Sequence, residues 1–144
     1  SVLNAASSVG LMEGALTRAC AHLAGTRFAH LNNSIADLPT IRAYLARAKI
    51  QCDSASVMLD DTVAAIAAQR ADTMLRVLEV KAHAGETALA VTDTAMRVCG
   101  GAAFRKDVGV ERMFRDARAA SVMAPTSDVL YDFIGKAVLG MPLF

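Results

Sequence analysis

Apolar residues recur at intervals of three or four along most of the chain, which is the periodicity of one face of an α-helix. The first run covers residues 2–23 and is followed by a polar, loop-like stretch over residues 25–36. The residues that keep the interval in this first helix are expected to face the core: Val2, Ala6, Val9, Met12, Leu16, Cys20 and Leu23.

The second run is the most regular and covers residues 38–66, which predicts a helix about 45 Å long. Asp37 precedes Leu38 and Pro39, and a polar residue followed by an early proline is typical of a helix start. We therefore expect Asp37 to cap this helix.

A third helix is predicted over residues 71–99, and it carries two apolar stripes instead of one. A helix with two apolar faces is covered on two sides, as the central helix of a bundle is. Gly100 and Gly101 are expected to end it, because glycine suits the left-handed position after a helix.

Two shorter helices complete the pattern. Asp107 is expected to cap the fourth, over residues 110–122, and Pro125 separates it from a fifth over residues 129–138 that ends at Gly140. No strand-like alternation is found. The sequence therefore predicts an all-α fold, an antiparallel up-and-down bundle of three long and two shorter helices, as a single domain over residues 1–144.

Composition narrows the functional class. Of the 144 residues, 54% are hydrophobic and 20% are charged, which excludes a disordered chain. The formal net charge is +1, so neither nucleic acid nor an anionic membrane is favoured as a partner. No uncharged apolar run reaches the roughly 18 residues of a membrane span.

The cysteines and histidines suggest no metal site. Cys20, Cys52 and Cys99 are too widely spaced for a zinc site or a disulfide framework, so we interpret them as reduced core thiols of a cytoplasmic protein. The three histidines are likewise far apart in the sequence. The chain begins at Ser1 without a methionine and enters a helical pattern at once, which suggests a piece of a longer protein.

Basic residues gather around the glycine pair. Arg97 precedes it, and five more follow within residues 105–118: Arg105, Lys106, Arg112, Arg115 and Arg118. One interpretation is a phosphate site, with arginine forks beside an open backbone. The other is a solvated helix face whose charge is balanced by Asp107, Glu111 and Asp116.

Four segments resemble the acyl-CoA dehydrogenase family. One runs from Lys81 through Glu86 to Arg97-Val98-Cys99-Gly100-Gly101. A second, residues 111–118, is similar to the family's Glu-Arg-x-x-Arg-Asp-Ala-Lys/Arg. Residues 124–128 stand where the family has Glu-Gly-Thr-x-Gln/Glu, and residues 35–38 resemble the segment after its Arg-x-x-Phe-Gly.

The resemblance implies the C-terminal helical bundle of a flavoprotein that oxidises acyl-CoA thioesters. It implies FAD as the cofactor, a homo-oligomer (dimer or tetramer), and an electron-transfer flavoprotein as a candidate partner. The bundle would contact the adenine and pyrophosphate end of one FAD and a second FAD in the other active site. The residues that the resemblance assigns to cofactor binding are Arg97, Gly100, Gly101 and Arg27 for the first contact, and Thr126 and Asp128 for the second.

Departures from the family pattern are equally informative. Ala124 and Pro125 replace the Glu and Gly of the Glu-Gly-Thr motif, and Arg97 replaces a residue that is usually an amide. Alanine cannot accept a proton, so no catalytic residue is assigned within the chain. Some members carry the base on the first helix of this bundle, and matching residues 9–12 places it just before Ser1. A flavin-dependent monooxygenase of the same superfamily and a non-catalytic helical interaction module remain alternatives.

Overall fold

The computed structural model describes all residues, 1–144, and confirms the all-α fold. Its five helices are α1 (Val2–Gly25), α2 (Pro39–Ala67), α3 (Thr73–Cys99), α4 (Val110–Val122) and α5 (Ser127–Val138). Short 3₁₀ turns lie at Ile35–Asp37 and Gly100–Phe104. None of the helices combines the length and apolar character needed to cross a bilayer.

The core shows how the helices run. One buried cluster joins the first half of α1, the middle of α2, the middle of α3 and Ala117 of α4. The other joins the end of α1, the beginning of α2, the end of α3 and Val110. Consecutive helices from α1 to α4 are therefore antiparallel. As predicted for the central helix, α3 packs against α1, α2, α4 and α5.

The buried face of α1 differs from the prediction. Ala5 and Ala19 are fully buried, whereas Ala6 and Cys20 are exposed. α1 packs against three helices and carries alanines at neighbouring positions, such as Ala5 and Ala6. The periodicity of its apolar residues therefore does not determine to within one residue which face of α1 is buried. The assignment of Cys20 to the core is therefore wrong, while Cys52 and Cys99 are buried thiols as expected.

Asp37 does not cap α2, contrary to the prediction. Its carboxylate accepts a hydrogen bond from the backbone N–H of Ser34 (2.7 Å) and closes the preceding 3₁₀ turn. α2 begins with Pro39 at its first position and has no side-chain cap, because the N-cap residue is Leu38, whose side chain has no hydrogen-bond acceptor.

Asp107 is not the cap of α4 either. Its carboxylate pairs with Arg105 at 2.6 Å, and α4 begins after Gly109, whose φ is +79°. A guanidinium two residues away competes successfully for the carboxylate that would otherwise bind the helix N-terminus. The predicted end of α3 is confirmed, since Gly100 follows it with φ +60°.

A small hairpin lies in the segment predicted as loop. β1 (Arg27–Phe28) pairs antiparallel with β2 (Asn33–Ser34), and Asn32 in the turn has φ +50°. The expectation of no strand is wrong at this point, because strands of two residues are too short to show an alternation of apolar and polar positions.

Candidate functional site

The six residues assigned to cofactor binding fall into two groups at opposite ends of α3. We call Arg97, Gly100 and Gly101, with the adjacent hairpin, the glycine end, and residues 123–128 the loop end. Lys81, which contacts the loop end, and Arg97 are sixteen residues apart on α3, about 24 Å at the rise of an α-helix. A chemical group that binds at the glycine end is therefore too far from the loop end to contact it.

The glycine end has an open backbone beside an arginine. A Cβ atom built on Gly100 or Gly101 would meet no atom within 4 Å, so a ligand can approach the main chain there. A depression of about 440 Å³ borders this turn, and it is lined by Asp93, Met96, Arg97, Gly100 and Phe104. Phe104 is 73% exposed and offers an aromatic face.

The guanidinium of Arg97 contacts an aromatic ring and forms no ion pair with a carboxylate. Its guanidinium carbon lies 4.7 Å from the centre of the Tyr44 ring, a cation–π contact across the α2–α3 interface. No ion pair or side-chain hydrogen bond involves Arg97, so its N–H groups remain available to an anion. Asp93, one turn earlier, is suited to hydroxyl groups instead.

Arg27 lies at the same end of the bundle. It begins β1, immediately after α1, and its side chain is exposed and without an ion pair. Ile35 and Ala36, just beyond the hairpin, pack on the core cluster that contains Val98 and Cys99. The hairpin therefore carries Arg27 toward the end of α3 where Gly100 lies.

Most of the basic cluster after the glycine pair is neutralised on the surface. Arg105 pairs with Asp107 at 2.6 Å, Arg112 with Asp116 at 3.5 Å, and Arg115 with Glu111 at 2.5 Å. These three arginines fit the interpretation of a solvated, balanced face. Arg97, Lys106 and Arg118 have no such partner.

The loop end begins α5. The hydroxyl oxygen of Thr126 accepts a hydrogen bond from the N–H of Val129 (3.4 Å) and caps the helix, which leaves the hydroxyl proton free to donate. Asp128 is exposed in the first turn, and Ala124 is exposed just before it. No carboxylate side chain occupies position 124.

Lys81 is a residue of the loop end that sequence reasoning did not assign. It is only 3% exposed, and its ammonium donates hydrogen bonds to the carbonyls of Met123 (2.9 Å) and Pro125. Burial lowers the pKa of this ammonium. A signal was present in the sequence, since Lys81 fills the gap between Val77 and Ala84 in an apolar stripe of α3.

The family model of the acyl-CoA dehydrogenase C-terminal domain matches residues 2–139. The chain belongs to this family. The matched range includes both ends of α3, and it contains the Gly-Gly turn and the Arg-Asp-Ala segment that carry the resemblance.

Relatives of this acyl-CoA dehydrogenase domain include enzymes with different names. It is 32% identical to a cyclohex-1-ene-1-carbonyl-CoA dehydrogenase of Geobacter metallireducens, a match that covers 96% of this chain and 36% of the relative. It is 28% identical to a 3-sulfinopropanoyl-CoA desulfinase of Paraburkholderia xenovorans, over 94% of this chain and 34% of the relative. The chain thus spans about a third of the length of these relatives.

Solved structures share the fold of the acyl-CoA dehydrogenase domain. A glutaryl-coenzyme A dehydrogenase in complex with glutaryl-CoA superposes with a TM-score of 0.90 at 23% identity, over 99% of this chain and 35% of that chain. A dibenzothiophene monooxygenase from Paenibacillus superposes with a TM-score of 0.83 at 19% identity, over 99% of this chain and 40% of that chain. The bundle is therefore common to proteins with different reactions.

Proposed function

We propose that this chain is the C-terminal helical part of an FAD-dependent oxidoreductase that dehydrogenates an acyl-CoA thioester between its α- and β-carbons. The observation that carries the proposal is the open Gly100–Gly101 turn beside Arg97, in a chain of this family. The bundle would supply part of the FAD site and the contact between subunits, and an electron-transfer flavoprotein would take up the electrons.

The glycine end fits the phosphate and adenosine part of FAD. Arg97 brings a charge and free N–H groups, Gly100 and Gly101 leave the main chain open, and Phe104 offers a face for a base. Arg27 is the second cation at this end. A bound FAD would supply the acceptor for the hydride that leaves the β-carbon of the acyl group. Thr126 and Asp128 would contact a different FAD, consistent with the distance between the two ends.

Because residue 124 is alanine, this chain does not contribute a catalytic base at that position. Dehydrogenation requires a base for the α-proton, and a positioned base contributes about 10²- to 10⁴-fold to the rate. Because a methyl group stands at position 124, the proposal requires the base to lie elsewhere, with the helix that enters at Ser1 as the expected place.

Ala124 also supports a second candidate function, a flavin-dependent monooxygenase. Such an enzyme uses reduced flavin and oxygen and needs no base for the α-proton of a thioester. The fold shared with the dibenzothiophene monooxygenase is compatible with this candidate.

Anaerobic mixing separates the two candidates. The full-length flavoprotein that contains this chain is mixed with acyl-CoA thioesters of different lengths, and the absorbance of oxidised flavin is followed. Bleaching supports the dehydrogenase, and removal of the upstream carboxylate should abolish it. Absence of bleaching with every thioester, together with oxygenation when reduced flavin and oxygen are supplied, would favour the monooxygenase.

The proposed contact between Arg97 and FAD is tested by the substitution Arg97→Leu. A hydrogen bond to a charged group contributes about 1.5–3 kcal/mol, so the Kd for FAD should rise about tenfold or more. Arg112→Leu is the matched control, because Arg112 is 82% exposed on α4 and lies outside the glycine end. Equal Kd values for the two variants would contradict the placement of FAD at Arg97.

A further inference from the structure

The face of α2 that points away from the core carries a line of apolar side chains. Four of them recur at intervals of seven residues, and all four are exposed: Ala43, Ile50, Val57 and Ala64. Ile50 and Val57, in the middle, are 69% and 67% exposed. We call these four residues the α2 seam. An interval of seven is the pattern of a helix that pairs with another helix along its length, yet the bundle leaves this seam uncovered.

The charges of α2 are segregated along its length. The first half is basic and the second half is acidic: residues 39–49 hold Arg42, Arg47 and Lys49, and residues 50–67 hold Asp53, Asp60 and Asp61. This order is the reverse of the one that stabilises a helix by itself, in which acids lie near the N-terminus and cations near the C-terminus. The stability of α2 alone therefore does not explain the arrangement. A second copy of α2, laid antiparallel along the first, has the complementary order.

The α2 seam determines how two antiparallel copies align. When Ile50 of one copy packs against Val57 of the other, Ala43 meets Ala64, and a two-fold axis passes between positions 53 and 54. Large side chains then lie at the centre of the contact and small ones at both ends. Because the distance between paired helices depends on the side chains at their contact, alanines at the ends allow a close approach.

This alignment brings opposite charges together. The residues four positions after those of the seam form a line along one flank of α2: Arg47, Ser54 and Asp61. In an antiparallel pair with a two-fold axis, a flank of one helix faces the same flank of the other. Arg47 then comes within about 1.5 Å, measured along the helix axis, of Asp61 in the second copy. Asp60 of the second copy lies at the height of Arg47 itself. The basic half of each copy thus meets the acidic half of the other.

The charges that would meet are free within one chain. Neither Arg47 nor Asp60 belongs to an ion pair. Asp53, beside the two-fold axis, already pairs with Lys49 at 2.5 Å. The two copies of Asp53 therefore bring no uncompensated like charges together at the centre of the contact.

We propose that the α2 seam is a contact between subunits of the full-length flavoprotein, formed by antiparallel pairing with α2 of a second copy. This inference rests on the proposed function, in which the bundle supplies the contact between subunits. Four side chains from each copy bury far less than the about 1,200 Å² of a stable interface. The α2 seam is therefore one part of a larger contact, and it does not by itself hold the isolated 144-residue chain together.

The alignment is tested by Ser54→Cys in the full-length flavoprotein. Ser54 is exposed and lies next to the two-fold axis, so its two copies face each other. Diamide should join the two cysteines in a disulfide, since its azo group takes up the two protons and two electrons that the thiols release. Ala64→Cys is the matched control, because its own copy lies about 31 Å away along the pair.

We expect a covalent dimer on a non-reducing gel for Ser54→Cys, and no more of it for Ala64→Cys than for the wild type, which carries the exposed Cys20. A mixed oligomer of Ala43→Cys and Ala64→Cys should be cross-linked as well. Equal yields for Ser54→Cys and Ala64→Cys would overturn the proposal. Cross-linking of Ala64→Cys to itself would show a parallel pair and would also overturn it.

Charge reversal tests the complementarity. Arg47→Glu places like charges opposite each other at two symmetric positions, so the dissociation constant of the subunits, measured by sedimentation, should rise about tenfold. Adding Asp60→Arg should restore most of this loss, because the two charges are then exchanged. An unchanged dissociation constant in Arg47→Glu, or a further rise in the double variant, would refute the pairing of these charges.

The remaining outcomes separate this inference from the proposed function. A cysteine at position 54 that reacts with neither diamide nor a maleimide would show that another segment of the full-length chain covers the α2 seam, which overturns the pairing. Bleaching by thioesters without cross-linking would refute the pairing and leave the dehydrogenase standing. Cross-linking without bleaching would support the pairing and refute the dehydrogenase.

Discussion

Alanine is the most frequent residue in the buried core, and serine, which is similar in size, is also buried there. Ser8 is 1% exposed on α1, among neighbours such as the fully buried Ala5. Its hydroxyl oxygen has no hydrogen-bond partner, and neither does the buried side-chain oxygen of Asn4 one turn earlier. The sequence pattern does not distinguish such a serine from an exposed one.

Replacing Ser8 by Ala should stabilise the protein. A buried hydroxyl without a partner costs about 1–3 kcal/mol, and alanine removes that cost without leaving a large cavity. We expect the free energy of unfolding, measured in urea, to rise by about 1 kcal/mol. Ser121→Ala is the control, because the Ser121 hydroxyl donates to the carbonyl of Arg118 (3.1 Å) and should not stabilise when removed. A loss of stability in Ser8→Ala would show that its hydroxyl is satisfied.

At the scale of elements, a clasp of charges joins α2 to α3. Arg70, in the connection, pairs with Asp61 of α2 at 2.7 Å and with Asp72 at 2.8 Å. Arg76 of α3 also binds Asp72, at 3.1 Å. The hydrogen bonds from Arg70 are the main reason why the pKa values of Asp61 and Asp72 are lowered.

The clasp predicts a pH-dependent contribution to stability. A carboxyl whose pKa is lower in the folded state stabilises the fold above its unfolded pKa, about 3.9 for aspartate, and this stabilisation is lost as the pH falls. The urea midpoints of wild type and Arg70→Met should therefore differ fully at pH 6 and less at pH 2, because the contribution is lost only as the pH falls toward the lowered pKa values of the folded state. Arg47→Met, an exposed arginine of α2 without an ion pair, should show no such convergence. A constant difference at both pH values would exclude the clasp as its source.

At the scale of the whole molecule, the C-terminal segment leaves apolar side chains uncovered. Val138 and Leu139 are 72% and 74% exposed, and Met141 and Phe144 beyond them are 51% exposed and fully exposed. We name these four residues the C-terminal apolar patch. Contiguous apolar surface of more than a few hundred Å² usually marks a contact with another molecule.

We expect the 144-residue chain to self-associate through the C-terminal apolar patch. Sedimentation should show a dimer or larger species, because burying the patch removes apolar surface from water. The double variant Val138→Glu and Leu139→Glu should be monomeric, since like charges would be brought together. Ile50→Glu, at an exposed position of α2, is the control. A wild-type monomer at high concentration, or an associated double variant, would refute this use of the patch.

The sequence by itself determined the helices of this protein. Periodicity located α1 to α5, and Pro39 and Gly100 marked the start of α2 and the end of α3, because these signals act through neighbouring residues. The Gly-Gly turn and the Arg-Asp-Ala segment were enough to indicate the family. Caps were less certain, as Asp107 shows, since a nearby arginine can take the same carboxylate.

Only the tertiary structure decided the remaining features. The rotation of α1, which buries Ala5 instead of Ala6, depends on three packing partners at once and not on the helix itself. Two contacts join residues more than forty positions apart: the cation–π contact of Arg97 with Tyr44, and the hydrogen bond from Lys81 to the carbonyl of Met123. No local sequence pattern predicts contacts over such separations. Lys81 interrupts an apolar stripe of α3, and only the packing of the loop between α4 and α5 brings main-chain oxygens to its buried ammonium.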